Sequence, residues 1–240
     1  MRASTSFALF AMVVASAAQA QEPRCDQSLK TSCFTGEFGL SDIPGSNSKK
    51  RLAHDFGFKD SIGVGWETRR DDETDGASIP RFFHPVIGDN WDERYIRAAV
   101  IHDRYCDVVK SHNVRSWQTT HRMFYDALLA SGVGRKRAAL MYYAVYNFGP
   151  SWDMLAPGSK CRVTDLCIQV VRPGQTFVRF ADRYDDPGLP GELEAVTKEL
   201  EAGGPEAGTP EDVMQISARR HPIRRLISPI DLETPGILDR

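Results

Sequence analysis

The chain has 240 residues, of which 41% are hydrophobic and 26% are charged. This length and apolar fraction are sufficient for one sizeable hydrophobic core. The formal net charge is only −2, so the charge balance gives no sign of a surface for nucleic acid or for an anionic membrane.

The first twenty residues have the three parts of a cleaved secretory signal peptide. Arg2 supplies the positive charge, Phe7–Ala15 form an apolar region, and Ala18-Gln19-Ala20 is typical of a cleavage site. The apolar region is shorter than the roughly 20 residues that span a bilayer, and no second such run follows. We therefore expect residues 1–20 to be removed, and the mature chain to be periplasmic or secreted without a transmembrane segment.

All five cysteines follow the signal segment, so an oxidising compartment makes them candidates for disulfides. Pairing Cys25 with Cys33 and Cys161 with Cys167 would close two short loops and leave Cys106 without a partner. Sequence alone does not determine the connectivity. The spacings include no C-x-x-C, so they do not indicate a structural zinc site of that type.

Alternating and helical periodicities predict the main elements in chain order. Two strands and a charged turn at Arg69–Glu73 precede three helices, and two further strands follow around a Pro-Gly turn. The predicted strands are Thr35–Leu40, Ser61–Thr68, Val163–Val171 and Thr176–Phe180, and the predicted helices are Asp92–Val109, Ser116–Ala130 and Arg135–Phe148.

The composition changes near residue 185, where Pro and Gly become frequent. We interpret residues 185–240 as a tail of low order that holds two helical pieces. Residues 21–184 then form a single α+β domain, in which a central helical hairpin and a third helix are flanked by small β elements.

Two histidines lie on apolar stripes of the first two helices. His102 precedes the centre of the connecting loop by about ten residues, and His121 follows it by about nine. In an antiparallel hairpin the two side chains would therefore lie at similar heights and face one shared core. A single histidine in such a position is usually a hydrogen-bonded core residue, but two at matched depth beside Asp103 favour a functional site.

Four further residues join the candidate site. Asp103 is turned about 100° away from His102 around the helix, which suits a separate role such as holding a cation. Asp75 could be a second metal ligand. Ser78 and Tyr105 are candidates for substrate contacts, and Ser78 could also be a nucleophile with His102 as its base. Turn stabilisation is the favoured role of Ser78, and packing explains Tyr105 as well.

The ordered motifs of this region resemble a bacterial and phage family known as domain of unknown function 1353. The resemblance spans residues 35–152 and implies no activity. The motifs are Thr74-Asp75-Gly76-Ala77-Ser78-Ile79-Pro80, Ala99-Val100-Ile101-His102-Asp103 with Tyr105, Arg115 through Phe124, and the helix at Arg135–Tyr146.

The first two helices also resemble, more loosely, those of secreted bacterial phospholipases A2. The resemblance implies that His102 activates water, that Asp103 binds calcium, and that His121 stands where an orienting Asp is expected. The sequence departs from that pattern in two ways. A histidine at 121 fits a metal pair better than a carboxylate role, and Cys106 occupies the place of the expected tyrosine.

The leading hypothesis is therefore an exported hydrolase in which His102 activates water, assisted by Asp103 and His121. Phospholipid esters are the first substrate class and cell-wall material is the second. In a metal-dependent version, His102, His121 and either Asp103 or Asp75 would hold zinc or calcium. The alternative is a non-catalytic envelope or phage-derived protein, whose tail contacts a protein partner.

Overall fold

The computed structural model describes residues 25, 32–76, 91–107, 115–155, 166–170 and 175–222. The elements in these ranges form an α+β fold, which confirms the predicted class. The signal segment and Ser78 lie outside the described residues. The strands are β1 Cys33–Gly36, β2 Leu40–Asp42, β3 Lys50–Leu52, β4 Phe56–Lys59, β5 Gly65–Thr68, β6 Glu73–Thr74, β7 Ser151–Leu155, β8 Leu166–Val170 and β9 Gln175–Phe180, and the helices are α1 Glu93–Cys106, α2 Trp117–Ala130, α3 Arg135–Phe148, α4 Leu189–Ala202 and α5 Pro210–Arg220.

The strands pair into three small antiparallel sheets, with the orders β1-β4-β5, β2-β3-β6 and β7-β9-β8. The predicted strand at 35–40 is divided, because Gly36 has a φ of +81° and ends β1. The predicted strand at 61–68 is shorter, because the Asp60 carboxylate accepts the backbone N–H groups of Ile62 and Val64 at 3.1 and 2.8 Å. These bonds form a turn before β5 begins.

The three central helices agree with the predicted ones to within a few residues. Ser116 caps α2 as predicted, since its hydroxyl accepts the N–H of Thr119 at 3.1 Å. Helix α1 packs against α2, and α2 packs against α3. The core between them is rich in large side chains that are 0–2% exposed, among them Trp66, Tyr95, Tyr142, Tyr143, Phe58 and Leu128.

Residues 185–222 differ from the predicted tail. The two expected helical pieces are present as α4 and α5, but both pack on α3 and contribute to the hydrophobic core. The packed unit therefore continues to at least residue 222, because apolar residues at helical spacing outweigh the Pro and Gly around them. The side chains buried by these two helices include Leu189, Leu193, Val196, Leu200, Val213 and Ile216.

The predicted disulfide between Cys25 and Cys33 is confirmed, and the buried Cys106 forms no disulfide with another described cysteine. Cys161 lies outside the described residues, so its pairing with Cys167 stays a prediction. Across the described ranges, no helix has both the length and the apolar character needed to cross a membrane.

A buried ion pair joins α1 to the turn before β6. Arg104 donates to Asp72 at 2.9 Å, and the two side chains are only 8% and 16% exposed. Removing one partner of a buried pair leaves the other charge uncompensated, which is far more costly than losing an exposed pair.

We expect Arg104→Ala to lower the free energy of unfolding by about 3 kcal/mol, because Asp72 would remain buried without its cation. Urea denaturation of the full chain measures this loss. The control is Lys198→Ala, which removes an exposed pair with Glu194 and should leave the denaturation midpoint unchanged. Equal midpoints for the two variants would contradict a stabilising role for the buried pair.

A second prediction concerns the packing of α4. Leu193 is 1% exposed, so Leu193→Ala should lower the free energy of unfolding by about 2–5 kcal/mol through lost apolar contacts and a cavity. The neighbouring Glu194→Ala, on the exposed side of α4, is the matched control for thermal denaturation. A loose tail at 185–222 would give both variants the melting temperature of the parent chain.

Candidate metal centre

The two predicted histidines meet inside the interface between α1 and α2. His102 Nε2 lies 2.8 Å from His121 Nδ1, and the two residues are 6% and 0% exposed. The Phe124 ring lies 4.7 Å from the His102 ring, and the Trp117 ring lies 5.7 Å from the His121 ring. The predicted approach of the two histidines is therefore confirmed, and their surroundings are largely aromatic.

The backbone after α3 determines the protonation of His121. Nε2 of His121 lies 2.9 Å from the carbonyl oxygen of Pro150. Because a carbonyl oxygen can only accept, Nε2 carries the proton, and Nδ1 of the neutral ring keeps a lone pair that can accept a hydrogen bond or bind an ion. A histidine held in this way by a backbone carbonyl is the usual arrangement of a metal ligand.

Cys106 is the third member of the cluster. It lies one turn after His102 on α1, and its Sγ is 3.5 Å from Nε2 of His102 and 3.8 Å from Nδ1. The residue is 7% exposed. One ligand atom from each of His102, Cys106 and His121 lies within 4.8 Å of the others.

The geometry is closer to that of a metal cluster than to that of a catalytic relay. In a Cys-His relay, the histidine contacts the thiol through one ring nitrogen and the orienting residue through the other. Here Cys106 and His121 both approach Nε2 of His102 more closely than Nδ1. The three ligand atoms therefore converge on one point instead of forming a chain.

The separations suit a tetrahedral ion after a small adjustment. Ideal Zn–N and Zn–S bonds place two nitrogens about 3.4 Å apart and a nitrogen and a sulfur about 3.6 Å apart. The observed sulfur–nitrogen distance of 3.5 Å agrees with this, whereas the nitrogen–nitrogen distance of 2.8 Å must open slightly. Binding would also require His102 to carry its proton on Nδ1.

Burial keeps His102 neutral, because it lowers the pKa of the imidazole to about 3. The neutral ring is the form that binds metals, and it is present throughout the physiological pH range. The same low pKa makes His102 a weak general base, because an efficient base has a pKa near the working pH.

Asp103 faces a different part of the fold. Its Oδ2 accepts the hydroxyl of Thr74 at 2.6 Å. Burial raises the pKa of Asp103 to about 8; the bond from Thr74 opposes this shift, and the nearby charge of Asp75 adds to it. Asp103 and Asp75 are thus close to one another, but neither belongs to the His-Cys-His cluster found among the described residues.

Tyr105, another predicted site residue, does not join the cluster. Tyr105 is 5% exposed, its hydroxyl accepts the N–H of Glu67 at 3.0 Å, and its ring packs 4.7 Å from Trp66. This is the packing role that the sequence left open. Ser78 lies outside the described residues, so its contribution stays a prediction.

Sequence reasoning missed Cys106 and Pro150. The signal for Cys106 was present, because residues four apart on a helix share a face, and His102 is already on the buried stripe. Pro150 contributes a backbone carbonyl that reaches His121 only through tertiary packing. No residue pattern indicates such a contact.

The chain belongs to a family described as "Protein of unknown function (DUF1353)", whose model matches residues 50–145. This confirms the family resemblance seen in the motifs, and the matched region contains His102, Cys106 and His121. The resemblance to phospholipases A2 gains no support from the matches.

Two relatives from Sinorhizobium fredii (strain NBRC 101917 / NGR234) show the extent of the similarity. The uncharacterized protein y4iH is 46% identical over 204 residues, which cover 84% of each chain. The uncharacterized protein y4jT is 41% identical over 103 residues, which cover 43% of this chain and 30% of that protein. No solved structure matches the chain.

Gly149 provides a test of how the turn after α3 orients His121. A Cβ at this position would lie 2.3 Å from the Val145 carbonyl oxygen and 3.0 Å from the Tyr184 hydroxyl. We expect Gly149→Ala to displace the adjacent Pro150 carbonyl and to weaken Co²⁺ binding about 10- to 100-fold. The measurement is a Co²⁺ titration followed by visible absorption.

The control for that titration is Gly134→Ala, since a Cβ on Gly134 meets nothing within 4 Å. It should bind Co²⁺ with the affinity of the parent chain. Unchanged affinity in Gly149→Ala would show that the Pro150 carbonyl does not orient a metal ligand.

Proposed function

We propose that this chain is an exported metal-dependent hydrolase whose zinc ion is held by His102, Cys106 and His121. The observation that carries the proposal is the convergence of one ligand atom from each residue on a single buried point. Each atom is of a type that zinc prefers, namely imidazole nitrogen or cysteine sulfur.

The number of ligands among the described residues is the number that a catalytic zinc site uses. Structural zinc sites use four protein ligands, whereas catalytic sites use three and leave one position for water or substrate. The cluster within the described residues supplies three. A zinc ion held in this way would act as a Lewis acid and lower the pKa of a bound water.

The phospholipase-like version of the hydrolase fits the contacts less well. It needs His102 as a general base, but burial depresses the pKa of that residue to about 3. It also needs Asp103 as a calcium ligand, but this carboxylate accepts a bond from Thr74 and has a pKa raised by burial. Calcium prefers oxygen ligands, so the nitrogen and sulfur atoms of the cluster favour zinc.

Export rests on the signal-like segment at residues 1–20, and a disulfide between Cys25 and Cys33 suits an oxidising compartment. A hydrolase in the cell envelope meets phospholipid esters and the amide and glycosidic bonds of the cell wall. Carboxylic esters and amides are the substrate classes to test first, because a zinc ion polarises their carbonyl groups.

The non-catalytic alternative has one observation in its favour. The three ligand residues are only 0–7% exposed, and the same contacts would fasten α1 to α2 in a purely structural metal site. In that case zinc would raise the thermal stability of the chain without giving any hydrolytic activity.

Metal analysis is the first test of the proposal. We expect the mature chain, purified without chelators, to contain about one zinc ion per molecule. Cys106→Ala and His121→Ala should lose most of this zinc, because two ligands bind the ion much more weakly than three. His54→Ala, which removes an exposed histidine, is the matched control and should keep the full content. Full zinc content in both cluster variants would exclude this metal centre.

Hydrolysis assays then separate the two classes of function. The zinc-loaded chain is incubated with mixed phospholipid vesicles and with purified cell wall, and fatty-acid and peptide release are measured. Activity that disappears after chelation and returns with zinc supports the hydrolase. The structural alternative would be favoured if zinc stabilised the chain but the zinc-loaded chain hydrolysed neither the phospholipid esters nor the cell-wall amides.

A further inference from the structure

Arg115 lies immediately before α2, and its positive charge has no carboxylate partner among the described residues. Within those ranges its guanidinium donates only to the Gly65 carbonyl, at 2.9 Å. Arg122, one of the arginines on α2 itself, differs in this respect, because it pairs with the Asp126 carboxylate at 3.4 Å. The charge of Arg115 is therefore left for something outside the described fold to compensate.

The Nε–H group of Arg115 is buried but has no acceptor in the part of the chain that the structure describes. A guanidinium carries five N–H donors, and a buried donor without an acceptor is costly. The residue as a whole is only half-buried, so a ligand can approach its terminal nitrogens from solvent. Arg115 thus combines unused donors with access from outside.

Aromatic side chains hold the guanidinium in a defined position. It lies 4.3 Å from the centre of the Trp66 ring and 5.7 Å from that of Tyr105. The Trp66 indole is itself fixed, because its N–H donates to Asp60 at 2.9 Å. On the other side, the Trp152 indole donates to the Arg115 carbonyl at 2.7 Å. A guanidinium on an aromatic face keeps its N–H groups available to acceptors in its own plane.

The start of α2 adds positive character beside Arg115. The helix has 14 residues, and its first turn contains no acidic side chain. The N-terminal end of a helix carries a partial positive charge that attracts anions. Neither this partial charge nor the charge of Arg115 is balanced by a carboxylate in the first turn of α2.

We propose that Arg115 is the centre of a binding site for an oxyanion, namely a carboxylate or phosphate group of a ligand. Such a group can accept two parallel N–H bonds from one edge of a guanidinium. It supplies both the acceptors and the negative charge that the described residues do not. The inference goes beyond the proposed hydrolase and does not depend on zinc, because none of the contacts of Arg115 involves a proposed metal ligand.

The test is an NMR titration of the full chain with acetate and, separately, with inorganic phosphate at constant ionic strength. The indole N–H signals of Trp66 and Trp152 report on the two sides of Arg115. We expect saturable shifts of these signals in the parent chain. In Arg115→Gln the affinity should fall about 10- to 100-fold through the lost charge-assisted hydrogen bonds.

The matched control is Arg122→Gln, which removes an arginine that already has Asp126 as its partner. It should keep the parental affinity for both anions. Tighter binding of acetate than of phosphate would assign the site to a carboxylate ligand, and the reverse order would assign it to a phosphate ester.

A second variant covers the case in which Arg115→Gln does not fold. Arg115→Lys keeps a cation over Trp66 but lacks the paired N–H edge, so its affinity should also fall. Parental affinity in either folded variant, or the absence of a saturable shift in the parent chain, would overturn the oxyanion site. Zinc content separates this inference from the proposed function. A parent chain that binds these anions but no zinc would reject the metal centre and leave the site at Arg115 standing.

Discussion

The contact between His102 and His121, at 2.8 Å inside the interface of α1 and α2, is the constraint on which the site depends. Two imidazoles among aromatic side chains are costly unless every polar atom has a partner. Nε2 of His102 and Nδ1 of His121 are hydrogen-bond partners of each other. Nε2 of His121 donates to the Pro150 carbonyl. The same burial keeps His102 neutral, and the helical turn brings Cys106 to the same nitrogen. The arrangement is thus already close to that of a three-ligand metal centre.

The rest of the fold holds this contact in place from several directions. Helix α3 ends in the Gly149–Pro150 turn, and α4 and α5 pack on α3 to complete the core around it. Strands β5 and β6 also contact α1, where Thr74 binds Asp103 about 100° around the helix from His102. Neither Asp103 nor Asp75 belongs to the cluster of nitrogen and sulfur atoms among the described residues. These atom types favour a soft, tetrahedral ion over calcium.

Much of this could be predicted from the sequence, and the failures have physical causes. Helical periodicity and equal distances from one loop were sufficient to place His102 opposite His121. The cysteine pattern leaves Cys106 without a disulfide partner and does not indicate a ligand, whereas its spacing of four from His102 puts both residues on one helix face. The Pro150 carbonyl reaches His121 through tertiary packing, which local patterns do not encode. Pro and Gly composition predicts a tail of low order after residue 185, whereas apolar residues at helical spacing pack α4 and α5 on the core.

X-ray absorption spectroscopy of the zinc-loaded chain tests the central claim most directly, since it reports the atoms bound to the metal. The account predicts one sulfur at about 2.3 Å and imidazole nitrogens at about 2.0–2.1 Å, with an additional light atom at the open position. A coordination shell of nitrogen and oxygen alone would contradict it. Such a shell would exclude Cys106 as a ligand and with it the convergence on which the metal centre is based.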